Sequence, residues 1–114
     1  MLYLLTPCRA IDTRDSSPIA NGQDPIVPVG GLCGVPAGAK AVAANLTIIA
    51  PPTDGWMGAF PSDLPWPGTS TINYRANRTR ANNAVIPLSG DGRITMKNSG
   101  SELHFIIDVT GYFK

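Results

Sequence analysis

Trp56 and Trp66 fall within eleven positions of each other and are the only tryptophans of the sequence, in a segment Gly55–Gly68 that also holds Met57, Phe60 and Leu64. Trp66 stands between Pro65 and Pro67, whose fixed φ angles would hold an indole rigidly in a loop. Rigid aromatic faces stack on the apolar faces of sugar rings, and Asp63, Asn73 and Arg75 are close enough in sequence to take hydroxyl hydrogen bonds. The competing reading makes Trp56 a core residue of a strand and Trp66 a plug that closes a loop.

Other chemistry is sparse. His104 is the one histidine, which excludes multi-histidine zinc, copper and facial-triad iron sites, and two cysteines exclude a Cys₄ cluster. No metal or cofactor is expected. A serine–histidine–aspartate hydrolase would need His104, yet no G-x-S-x-G turn occurs and His104 lies inside an alternating strand pattern. Asp54, Asp63, Asp91 and Glu102 include no pair whose spacing singles out a glycosidase. A small hydrolase is therefore the weakest of three functional classes. Cys8 and Cys33 lie too far apart for a redox CxxC motif and lack neighbours for a metal site, which favours one structural disulfide over two buried thiols. Closing that loop would contribute roughly 3 to 4 kcal/mol in the chain-entropy model.

Lys+Arg 9 against Asp+Glu 8 leaves a net charge of +1, no field to hold a nucleic acid or an anionic bilayer. Every apolar run is interrupted by Gly, Pro, Asn or a charge well short of a membrane span, so no membrane insertion is expected. The opening Met1–Pro7 has neither the basic nor the long apolar stretch of a signal peptide; an exported protein would carry its signal outside this chain. Gly 12 and Pro 11 in 114 residues, with 43% hydrophobic residues, describe a turn-rich globular chain, one domain over residues 1–114.

Those candidate residues must be positioned by strands. Val42, Ala44, Leu46 and Ile48 alternate with Ala43, Asn45, Thr47 and Ile49, and Leu103, Phe105, Ile107 and Val109 alternate with His104, Ile106, Asp108 and Thr110. Arg93–Lys97 alternates between turn-forming Ser89–Gly92 and Asn98–Ser101, which reads as the middle of a three-stranded meander with Asn83–Leu88 first. Further strands fit Leu2–Leu5, Arg9–Thr13, Pro25–Val29, Gly55–Phe60 and Ser70–Arg75, with an Asn/Arg-rich turn at Ala76–Arg80. The expectation is an all-β protein, an antiparallel β-sandwich of about eight or nine short strands with one disulfide.

Thr6-Pro7-Cys8-Arg9-Ala10-Ile11-Asp12-Thr13-Arg14, Leu32-Cys33-Gly34-Val35-Pro36 and Ile107-Asp108-Val109-Thr110-Gly111-Tyr112-Phe113 resemble a β-rich module of large secreted bacterial proteins, which starts on a PCRxxDTR-like and ends on a DVxGYF-like signature. Ala41–Thr47 and Thr79–Val85 look like its interior strands. Such modules stand in tandem or beside cell-wall- and glycan-active domains, so the resemblance implies an extracellular accessory role without catalysis. Asp12, Arg14, Arg80 and Asp108 are expected to form a structural polar network, Asp12 and Arg14 on one strand face and Asp108 paired with Arg14 or Arg80. The resulting expectation is a carbohydrate-binding or adhesive module with a polysaccharide or cell-surface glycan as partner. Its rival is a self-assembling structural subunit in which exposed strand edges or the Trp66 loop meet further copies of itself.

Overall fold

The alternation of the two most regular apolar segments survives in three dimensions in a computed structural model that describes residues 1–114. Eight strands form: β1 (Leu2–Asp12), β2 (Ile26–Pro28), β3 (Ala41–Ile49), β4 (Gly55–Pro61), β5 (Ile72–Tyr74), β6 (Arg80–Pro87), β7 (Arg93–Ser99) and β8 (His104–Phe113). In β3 every second residue from Val42 to Ile48 is buried, and in β8 Phe105, Ile107 and Val109 are fully buried. Burying one face of each strand fixes its register, because a one-residue slip would turn the whole apolar set to water.

The strands make two four-stranded antiparallel sheets, β1-β8-β3-β6 and β2-β7-β4-β5. Their inner faces enclose one cluster of 20 buried apolar residues, among them Leu46, Met57, Tyr74, Phe105 and Ile107. The sandwich expected from the sequence is therefore observed. Two local expectations are corrected. The C-terminal third is not a meander: β6 pairs with β3, β7 pairs with β4 and β2 in the other sheet, and β8 lies between β1 and β3. Loops that cross from sheet to sheet replace the tight hairpins that the turn residues suggested. Leu2–Leu5 and Arg9–Thr13 are one strand, in which register shifts between Leu4 and Cys8 and between Arg9 and Ile11 absorb the interruption by Pro7.

Cys8 and Cys33 are bonded, with Cα atoms 5.5 Å apart. The bond fastens the irregular Gly30–Ala39 loop to β1. Val35, 2% exposed, is that loop's apolar anchor, and its N–H and C=O are held by Leu32 and Gly31. At the opposite end, Gly100 at φ +134 lies so near Asp54 and Gly55 that a Cβ would sit 2.6 Å from both backbones, so glycine is required there for conformation and for space. No helix of the structure is long and apolar enough to cross a membrane.

Candidate functional site

Strand parity places Trp56, Gly58 and Phe60 on the outer face of β4, with Asn73 of β5 beside Trp56 and Lys97 of β7 beside Gly58. The β4–β5 loop folds back over this face. Trp66 stacks on Trp56 with ring centroids 5.1 Å apart and planes 16° from parallel. Its Nε1–H donates to the Thr69 carbonyl at 3.0 Å, and the Lys97 ammonium lies 5.5 Å from the ring centroid, within cation–π range. Gly58 makes this possible, since a Cβ there would meet the Thr69 carbonyl at 2.9 Å and Trp66 Nε1 at 3.2 Å.

Trp66 is 40% exposed, so the loop neither buries it nor leaves it free. One indole face rests against Trp56, and a shallow depression bounded by Trp56, Trp66, Gly68 and Ser70 remains. Of the residues grouped from the sequence, Trp56, Trp66 and Asn73 come together. Asp63 does not join them: its Oδ2 accepts from the Gly90 N–H and fixes the β6–β7 turn. Arg75 lies past the end of β5, where its carbonyl accepts from the Arg78 N–H.

The charged residues assemble differently from their expected pairing. Asp12 ends β1 and caps a short 3-10 turn, Thr13–Asp15. Its carboxylate accepts from the Arg14 N–H at 3.1 Å and from the Arg14 guanidinium at 2.7 Å. The pair therefore spans a cap and a turn instead of one strand face. Asp108 pairs with Arg9, Nε to Oδ1 at 2.9 Å, and with neither Arg14 nor Arg80. Arg80 Nη1 donates instead to the Asn73 carbonyl and closes the sandwich edge between β6 and β5. Hydrogen bonds from Arg14 are the main cause that holds the Asp12 carboxyl down at about 2, and the same contact raises the Arg14 guanidinium above its ordinary value. Asp108 raises Arg9 likewise. The cross-strand neighbours Asn83, Asn45, Asp108 and Arg9 make one polar rung across all four strands of this sheet's outer face.

His104 opens β8, with Nδ1 3.0 Å from Thr13 Oγ1. That hydroxyl also accepts from the Phe105 N–H, and Thr13 is only 3% exposed. The group ties the 3-10 turn to β8, and its hydroxyl is closed to a substrate. No three His, Cys, Asp or Glu side chains converge.

The edge of β6 escaped the sequence reading as a site. Its register with β3 is unbroken from Ala41↔Pro87 to Ile48↔Arg80, and the Leu88 N–H bonds the Lys40 carbonyl. By antiparallel parity, Arg80, Asn82, Ala84 and Ile86 turn their backbone groups toward β3. Ala81, Asn83 and Val85 turn theirs outward, where no other strand pairs with them, and all three are exposed. The other edges are guarded: β1 carries two register shifts, while β2 and β5 are three residues each and β2 ends on Pro28.

No family model matches the chain, nor does any curated protein. Among solved structures it is similar to the coat protein of Tobacco streak virus in two crystal structures. One has 15% identity and a TM-score of 0.48, covering 96% of this chain and 85% of that one. The other, a coat protein dimer, has 14% identity and a TM-score of 0.47, covering 96% and 84%.

Proposed function

We propose that the chain is a non-enzymatic structural module of an extracellular or surface assembly, and that it associates with further copies of itself. The observation that carries this reading is the long, regular, open edge of β6 in a sandwich whose other three edges are interrupted or very short. Open edges are templates for strand pairing, and soluble domains usually blunt them. The Cys8–Cys33 bond supports an oxidising compartment, and the resemblance of both chain ends to secreted bacterial modules points the same way. Sedimentation velocity on the oxidised protein tests the reading. A mass rising above the 12.0 kDa monomer with concentration is expected; a monomer up to the millimolar range would overturn it.

A second reading, glycan binding at Trp56 and Trp66, has one specific observation in its favour, a stacked and partly exposed indole pair set on a sheet face. On this reading Gly58→Val would unseat Trp66 and weaken a polysaccharide by about ten- to a hundred-fold, the scale of a lost aromatic anchor. Tryptophan fluorescence that stays flat across a broad polysaccharide panel with the unmodified protein would end it.

A further inference from the structure

We infer that the second copy docks on β6 as an antiparallel strand about a two-fold axis through Asn83, which joins two four-stranded sheets into one of eight. The inference rests on the self-association proposed above and specifies its geometry. The outward-facing residues Ala81, Asn83 and Val85 are symmetric about Asn83. An antiparallel partner centred there places Asn83 opposite the partner's Asn83 and Ala81 opposite the partner's Val85, and every outward N–H and C=O of these residues gains a mate. Pro87, which has no N–H to give, faces the partner's Thr79 at the margin of the paired stretch.

Three further observations fit this axis. The polar rung Arg9–Asp108–Asn45–Asn83 runs across the whole sheet, so a two-fold at Asn83 continues it into the partner with the two amides side by side, an arrangement that favours stacked Asn pairs. Beside Val85 and Pro87 the β4–β5 loop leaves a groove of about 440 Å³ walled by Phe60, Leu64, Pro65 and Pro67, and the register brings the partner's small Ala81 and Thr79 to it. The exposed Arg75 and Arg78 before β6 lie alongside the turn after the partner's β6, where Asp63 holds Gly90 and Asp91, 62% exposed, pairs with Arg93, two carboxylates against one cation. Opposite charges thus meet at both ends of the paired strands, and a like-charge clash would arise only in a parallel pairing. An isologous contact of this kind closes at the dimer.

Asn83→Cys tests the register directly. Paired Cα atoms in this geometry lie about 5.5 Å apart, within reach of a disulfide, so mild oxidation should give a covalent dimer. Val85→Cys should not, because the two copies of residue 85 are separated by about four residues of strand, some 13 Å. Asn83→Pro removes an outward N–H and no bond to β3, so it should give a monomer with unchanged circular dichroism. Arg75→Glu with Arg78→Glu should weaken the dimer by roughly ten-fold at low salt and less at high salt. A wild-type dimer that fails to cross-link through Asn83→Cys would overturn this register and leave self-association standing. A wild-type monomer at every concentration would remove both.

Discussion

Two polar networks fasten this sandwich, and they differ in kind. On the β1–β8 side of one sheet's outer face, Arg9, Asp12, Arg14 and Asp108 form charged pairs whose arginines are about half exposed, 52% for Arg9 and 49% for Arg14. Inside the sandwich, Tyr74, Asn98 and Ser101 form a neutral, buried network, with Asn98 only 1% exposed. The Tyr74 hydroxyl donates to Asn98 Oδ1 at 2.9 Å and accepts from the Ser101 N–H at 3.0 Å. Asn98 Nδ2 donates to the Ser101 carbonyl at 2.7 Å and to the Ala20 carbonyl at 3.1 Å. Burial also pushes the Tyr74 phenol above its ordinary pKa of 10.0. The lesson is that formal charge is a poor guide to cohesion. Water competes for the exposed pairs, whereas a broken buried amide leaves donors and acceptors with nothing to replace it.

The largest effect is therefore expected from the neutral network. Asn98→Ala strands the Ser101 carbonyl and takes one partner each from the Tyr74 hydroxyl, which keeps the Ser99 carbonyl and the Ser101 N–H, and from the Ala20 carbonyl, which keeps the Gln23 N–H; it should cost about 3 to 5 kcal/mol, one unsatisfied group at roughly 1 to 3 and two lost hydrogen bonds at roughly 1 each. Urea unfolding monitored by circular dichroism reads the change. Tyr74→Phe should cost less, because the amide keeps its carbonyl partners. Equal and small losses for both would show that the network contributes no more than the exposed one and would break the comparison.

The disulfide lies beside the charged network, since Cys8 precedes Arg9 on β1. Cys8→Ala with Cys33→Ala should lower stability by about 3 to 4 kcal/mol, the chain-entropy value for a loop of this length, and should leave the Asn98 network as protected in hydrogen exchange as before. A loss of protection that spreads evenly over both networks would show that the two regions do not open separately.

Much of this architecture was legible in the sequence because period-2 burial is local. Val42–Ile48 and Phe105–Val109 alternate on the page as they do in space. Strand partners were less legible. The turn residues of Ser89–Gly92 announce a reversal without saying that the chain changes sheets there. Asn98 read as a turn residue because its type favours turns, and only the packing of Ile19–Ala20, Tyr74 and Ser101 around it, residues as many as 79 positions away, reveals a buried role. Asp63 similarly left its expected place beside the tryptophans, since its partner Gly90 is 27 positions distant. The charged motif around Asp12 was visible, but its pairing was not: Arg9 reaches Asp108 across 99 positions.

The smallest effect is expected from that charged network, and its signature is a pH window. Asp12 has its carboxyl lowered from the ordinary 3.8 to about 2, first by hydrogen bonds from Arg14. The folded state thus binds the proton more weakly than the unfolded chain, and the ionised carboxylate's contribution is complete above about pH 4 and is lost as pH falls toward 2. Asp12→Asn keeps an oxygen to accept the Arg14 N–H, as asparagine caps helices well, and removes the charge together with the oxygen that accepts from the Arg14 guanidinium. The variant should melt slightly below wild type at neutral pH, and the gap should close between about pH 4 and pH 2. Asp91, lowered by its hydrogen bond from Ser89 and by Arg93, titrates in the acid range in both proteins and cancels in the difference. A gap that persists unchanged through this range would mean that Asp12 acts through shape alone, and the contrast between a charged, pH-dependent network and a neutral, pH-independent one would fall.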